Sequence, residues 1–185
     1  MAELKDSGAR REFDTGAVRD IAEGKGRCDL LPLYEVGFLY STYTEYTDNL
    51  EPGAILSKDS LFRYITRTID RFMIDLNPYY IRLALCAFID NTYPNFETAM
   101  LELAIHYEDG AKKYSERNWQ KGIPTHCFVD SAIRHLLKFQ RGDTDERHDR
   151  AFMWNMMGLL WTMMSKKNMN DIDYGTYLGV KDEEI

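Results

Sequence analysis

The chain has 185 residues, of which 44% are apolar and 29% charged, and it carries a formal charge of −7 with a pI near 5.1. That length supports one domain with a sizeable core. The acidic balance excludes a surface that wraps duplex nucleic acid, because such proteins neutralise many phosphates with Lys and Arg; only a small, localised anion site stays open.

Residues 1–27 are polar, rich in charge and glycine and without sustained periodicity, so they are expected to form a mobile arm or an extended lid. A short apolar piece follows from Leu30, with Pro32 fixing its start. The Tyr/Thr-rich stretch 40–47 fits a strand or a helix equally well. Glu51-Pro52-Gly53 reads as a turn. Ser57 or Asp59 can then cap a helix that carries Leu61, Phe62, Ile65, Ile69, Phe72 and Met73. Asn77-Pro78 breaks it, a second helix is expected over about 79–90, and Tyr93-Pro94 breaks again, so residues 40–95 hold a helical hairpin. The next helix spans about 96–113 on a stripe of Ala99, Met100, Leu103, Ala104 and Tyr107. A polar loop covers 115–124, a helix runs from Thr125 or His126 to about Phe139 with Gly142 stopping it, and a last helix covers about 145–165.

That last helix is apolar nearly all round, so part of its surface is expected to meet another subunit, giving a homo-oligomer. The tail 166–185 is polar and expected to fray. Cys28, Cys86 and Cys127 are odd in number, far apart and without CxxC spacing, which fits a reduced cytoplasm. The start MAELKDSGARREF has no apolar signal core. The longest apolar run, 151–164, is interrupted by Asn155, Gly158 and Thr162, so a soluble protein with no membrane partner is expected.

The chemistry-bearing residues concentrate between Glu102 and Trp161. Glu102, His106 and Asp109 fall on one stripe of a helix, with Glu108 about a third of a turn away; an acidic stripe alone is more often a solvated face. Glu146 and Asp149 form ExxD at the start of the last helix, where i, i+3 carboxylates can bind one cation or equally well stabilise the helix start, with Asp143 or Asp145 as the cap. Asp130, Arg134 and Lys138 line the polar side of the helix before it, and His135 lies on its boundary. The loop Lys112, Lys113, Tyr114 to Lys121 sets cations, including Arg117, beside Trp119; Arg and Lys suit phosphate oxygens and Trp a stacked base. Gly24-Lys25-Gly26-Arg27 resembles a phosphate-contacting strap but lacks the full Walker pattern.

Four blocks in order, GKxRxDLLP from Gly24, the stretch 102–124 with GAKKYxERNWxKGIP, DSAxRH from Asp130, and GDTDERHDRAFxWN from Gly142, resemble the phage family of dATP/dGTP diphosphohydrolase N-terminal domains. The resemblance implies an all-α, single-domain helical bundle of the MazG-like type, in residues 28–165, with 40–95 as an inserted hairpin. It implies Mg²⁺-dependent hydrolysis of a purine deoxynucleoside triphosphate to monophosphate and pyrophosphate in the host cytoplasm. MazG-like folds hold Mg²⁺ with ExxE followed by ExxD. This chain has ExxD and no ExxE, so the metal ligands expected are Glu102, Glu108, Asp130, Glu146 and Asp149. Glu102, Glu108, His135 and His148 are the expected catalytic groups. Lys25, Arg27, Lys112, Lys113, Arg117, Trp119, Lys121, Arg134, Trp154 and Asn155 are the expected substrate contacts. Two other classes compete. His148-Asp149 is an HD dipeptide, with Asp171 and Asp173 downstream, as in helical HD phosphohydrolases that favour transition metals. The missing ExxE also suits a non-catalytic binder that sequesters a nucleotide or signal nucleotide.

Overall fold

The computed structural model describes residues 8–21, 23–51 and 53–173 and shows an all-α domain of six helices with one small hairpin among those residues. Local chemistry sets most helix ends. Helix α2 (Lys58–Asp75) starts where Ser57 Oγ accepts the Ser60 N–H, and it ends at Leu76, left-handed at φ 50° and donating to the Phe72 carbonyl. Helix α3 (Pro78–Thr92) opens with Asn77 accepting the Tyr79 N–H and Pro78 in its first turn, where the missing N–H costs nothing. Helix α4 (Phe96–Tyr114) is capped by Asn95, which accepts the Thr98 N–H at 2.8 Å. Helix α5 (Thr125–Arg141) closes on left-handed Gly142, whose N–H reaches the Lys138 and Phe139 carbonyls.

The ambiguous Tyr/Thr stretch is helical, as part of α1 (Leu33–Asp48). Thr42 and Thr47 turn their hydroxyls back onto the Phe38 and Tyr43 carbonyls, so the β-branched residues are accommodated without a strand partner. Two helices form the centre. Helix α3 buries every residue from Ala84 to Ile89, and helix α6 (His148–Ser165) packs against α5, α4, α3 and α1. Phe88 joins them, with ring centroids 4.5 Å from Phe152 and 5.2 Å from Phe139. Gly158 lets α5 approach α6, because a Cβ there would run into the Phe128 ring.

Several expectations are corrected. Most of the apolar surface of α6 is covered within the chain, with Met164 left exposed, so the burial of this helix does not by itself call for a second subunit. Within the stretch expected to be a mobile arm or an extended lid, the described residues hold an exposed antiparallel hairpin, β1 (Arg10–Glu12) with β2 (Val18–Asp20). The segment after α6 docks where fraying was expected: Asp171 accepts from the Thr125 hydroxyl and the His126 N–H, and Ile172 is buried. Residues 1–7 and 174–185 of the arm and tail, and Pro52 of the expected turn, lie outside the described residues. Helix α6 begins at His148, three residues later than expected, and neither Asp143 nor Asp145 caps it. Cys86 is buried, which pushes its thiol up to about 12, and the three cysteines are free.

Candidate functional site

The strap is stitched to α4 by Glu108. This carboxylate, only 6% exposed, accepts the Gly24 N–H at 2.9 Å and the Gly26 N–H at 3.0 Å, and pairs with Lys112 at 2.9 Å. Those backbone donors, then Lys112, hold it below the usual carboxylate range despite its desolvation. Gly26 fits because its φ is +84° and a Cβ would lie 2.9 Å from the Ala104 Cβ, while Arg27 N–H donates to the Ala104 carbonyl. Arg27 itself forks onto Asp29 and reaches Glu116 at 2.6 Å. The strap, the hairpin and α4 enclose a cleft of about 820 Å³. Arg11, Arg19, Lys25, Arg27 and Lys112 face into it, balanced by Asp20, Glu23, Asp29, Glu108 and Glu116.

Across Ala111, which lines both, lies an aromatic cavity of about 290 Å³ walled by Leu30, Tyr107, Tyr114, Arg117, Trp119 and Trp154. Left-handed Arg117 (φ 55°) starts the short 3-10 turn Asn118–Lys121 that tips Trp119 into the core, edge-on to Trp161 and Tyr107. Trp119 Nε1 and the Tyr107 hydroxyl are both buried with no hydrogen-bond partner. A buried donor left unpaired costs about 1–3 kcal/mol, so two on neighbouring rings are unusual, and both atoms are closed off from solvent. Burial also pushes the Tyr107 phenol far above its usual pKa, so it stays a donor.

Beside Trp154 the polar groups of α4, α5 and α6 meet. His106, whose ring lies 6.1 Å from that of Trp154, is pushed below its usual pKa by burial. Glu102 and Asp149 converge on one guanidinium: Arg147 Nη2 is 2.9 Å from Glu102 Oε2 and 2.7 Å from Asp149 Oδ2. Arg150 also holds Glu102, and the Tyr93 hydroxyl donates to Asp149 at 2.8 Å. Burial pushes Asp149 up, but Arg147 and Tyr93 outweigh it and its pKa is lowered. Glu146, just ahead of the helix, points elsewhere: its Oε1 is 3.4 Å from His135 Nδ1 and 3.5 Å from His148 Nδ1. The expected i, i+3 pairing of Glu146 with Asp149 on one helical face is therefore absent.

The five expected metal ligands are not gathered in one place. Glu102 and Asp149 meet at Arg147, Glu108 anchors the strap, Glu146 joins the histidines, and Asp130 pairs with Arg134 on the exposed side of α5. Among the described residues, two groups of three bring ligand atoms within range of one ion, and neither contains more than one of those five: His135, Glu146 and His148, and Asp143, Asp145 and His148. Of the expected substrate contacts, Lys25, Arg27 and Lys112 line the cleft, and Arg117, Trp119 and Trp154 line the cavity. Lys113 lies over the Tyr114 ring, Lys121 donates to Asn118, and Arg134 is taken by Asp130. Asn155 is buried and donates to the Ala151 carbonyl, an internal helix contact that keeps it out of both spaces. Arg11, Arg19 and Tyr107 were missed, because only the folded hairpin and the cavity reveal their position.

A family model described as dATP/dGTP diphosphohydrolase, N-terminal, matches residues 84–172. That span belongs to this family. No curated protein and no solved structure compared with the chain matches it. The family span carries most of α3, all of α4 to α6, the Trp119 turn and every carboxylate of the Arg147 and histidine clusters. The strap, the hairpin and α1 and α2 lie upstream of it. The matched span contributes the aromatic cavity apart from Leu30, and Lys112 of the cleft, and the preceding residues add Arg11, Arg19, Lys25 and Arg27. None of its helices, nor any other among the described residues, is long and apolar enough to cross a membrane.

Proposed function

We propose that this chain hydrolyses a purine deoxynucleoside triphosphate to the monophosphate and pyrophosphate. The observation that carries this reading is the aromatic cavity walled by Tyr107, Tyr114, Trp119 and Trp154, which adjoins the cationic cleft across Ala111. A base placed between Trp119, Trp154 and Tyr114 would be held by stacking on their rings, and the family description names purine nucleotides. The triphosphate extends past Ala111 into the cleft. There Lys25 and Arg19 meet the phosphate oxygens, and Arg27 and Lys112 exchange a carboxylate partner for a phosphate.

Glu102 and Asp149 are the expected carboxylates that lie together, but Arg147 and Arg150 occupy them and neither lines the cleft or the cavity, so as they stand they do not fit Mg²⁺ beside the triphosphate. Mg²⁺ carried in by the triphosphate itself would neutralise charge on the leaving pyrophosphate and orient water. His106 lies one turn along α4 from Glu102, and burial favours its neutral form. His135 and His148 engage each other and Glu146, and in this scheme they support the site from outside the reacting atoms.

A second reading, a nucleotide binder without turnover, draws on one observation: Glu102 and Asp149 are both closed by Arg147. The HD-type reading has less support, because Asp149 faces Arg147 and Tyr93 and does not join the histidines. Incubation with dATP, dGTP, dCTP and dTTP, with and without Mg²⁺, separates the three. Purine-selective, Mg²⁺-dependent monophosphate formation supports the hydrolase. Tight binding that survives EDTA without turnover supports the binder, and loss of one phosphate or release of intact triphosphate supports HD-type chemistry.

A further inference from the structure

The side chains of His135, Glu146 and His148 form a triangle of donor atoms. His135 Nδ1 and His148 Nδ1 are 3.0 Å apart, and Glu146 Oε1 is 3.4 Å and 3.5 Å from them. Two ligand atoms each about 2.1 Å from one ion lie about 3.0 Å apart at an octahedral right angle and about 3.4 Å apart at a tetrahedral angle. All three edges of the triangle fall in or next to that range. The arrangement follows from the fold: α5 and α6 pack antiparallel after the reversal at Gly142, which brings residue 135 beside residue 148, and the start of α6 at His148 leaves Glu146 in the connecting turn.

The protonation pattern suits a cation. His148 Nε2 lies 2.8 Å from Asp145 Oδ1, and an aspartate accepts, so Nε2 carries the proton and Nδ1 presents a lone pair. A carboxylate behind a metal-binding imidazole fixes the ring and its tautomer in this way. Lys138, 2.8 Å from Asp145, and His148 both hold that carboxylate far below its usual pKa, so it remains an anion. Burial likewise favours the neutral form of His135, whose Nδ1–H donates to His148 Nδ1 at 3.0 Å until an ion displaces that proton. His148 is buried, His135 nearly so, and Glu146 half exposed, so the triangle has a closed protein side and an open solvent side. The other group, Asp143 with Asp145 and His148, offers less: Arg141 holds Asp143, Lys138 holds Asp145, and an ion there would replace the proton on His148 Nε2.

We propose that His135 Nδ1, His148 Nδ1 and Glu146 Oε1 bind one first-row transition-metal ion, with Asp145 as the outer carboxylate that orients His148. Two imidazoles and one carboxylate select Mn²⁺, Fe²⁺, Co²⁺, Ni²⁺ or Zn²⁺ over Mg²⁺, which prefers oxygen ligands. This site is distinct from the Glu102–Asp149 pair and does not depend on the hydrolase reading.

The test uses the full chain, stripped of metal by chelation and then titrated with Co²⁺ alone. Saturation at one equivalent, with visible absorption bands from nitrogen and oxygen ligation and a rise in melting temperature, is expected; Mg²⁺ at the same concentration produces no such rise. His135→Ala and Glu146→Gln, both at positions outside the fully buried core, abolish the one-equivalent binding, and Asp145→Asn weakens it about 10- to 100-fold. His126→Ala, which alters the separate pair with Asp171, leaves it unchanged. Absence of one-equivalent Co²⁺ binding, or binding equally tight in His135→Ala and Glu146→Gln, overturns the proposal. Nucleotide hydrolysis is measured separately with Mg²⁺ on the unsubstituted chain, so failure of Co²⁺ binding and failure of turnover are read independently.

Discussion

Replacing Glu108 with Gln should detach the strap from α4 while leaving the helix bundle folded. In the native protein both carboxylate oxygens accept backbone N–H groups, from Gly24 and Gly26, at 2.9 Å and 3.0 Å. The amide keeps one acceptor and turns an NH₂ toward the other N–H, so one charge-assisted bond is lost and a partly buried donor is left facing a donor. Hydrogen bonds to charged groups contribute about 1.5–3 kcal/mol, which places the local cost near 2 kcal/mol, or a ~30-fold increase in the strap's opening constant. Amide hydrogen exchange read by NMR should show faster exchange at Gly24, Gly26 and Arg27, with α3 and α6 amides unchanged. The pH dependence has a definite sign. Because the folded Glu108 pKa is lowered, its contribution is fully present above the unfolded value near 4.5 and is lost as pH falls through the folded value. The variant should lack that acid limb. If Gly24 and Gly26 keep wild-type protection in the Gln variant at neutral pH, Glu108 is not the strap's anchor and the cleft geometry built on it fails.

Trp119→Phe removes an indole N–H that has no partner in the protein; it should change stability by about 1 kcal/mol or less yet weaken dGTP binding several-fold, as titration calorimetry would register. Equal losses of stability and affinity would instead make Trp119 a packing residue alone. Tyr93→Phe leaves Asp149 with Arg147 but without its 2.8 Å hydroxyl donor, so urea unfolding at pH 7 should show a loss of about 1–3 kcal/mol. Since the folded pKa of Asp149 is lowered, that loss should shrink as pH falls through the folded value; a pH-independent difference would refute the role given to the carboxylate.

The helix ends were legible where short-range chemistry decides them. Ser57, Asn77-Pro78 and Gly142 act within four residues of their own position, and each performs its expected role. The stretch 40–47 was not legible, because its threonines satisfy their hydroxyls on the preceding helical turn, a choice that periodicity does not reveal. The hairpin 10–20 escaped notice because it is almost wholly exposed and so carries no apolar alternation. Within the site, Glu146 and Asp149 looked paired through their spacing, but the turn at Glu146 and Arg147 sends the two side chains to different partners. The approach of His135 to His148 depends on antiparallel packing of α5 on α6, and the unpartnered donors of Tyr107 and Trp119 depend on the whole cavity wall. Neither is encoded in any local motif.

The most direct test of the central claim is a ³¹P NMR time course of dGTP with the purified protein and Mg²⁺. The account predicts that the triphosphate signals give way to equal amounts of dGMP and pyrophosphate. Appearance of orthophosphate with dGDP, release of intact triphosphate, or an unchanged spectrum would contradict it.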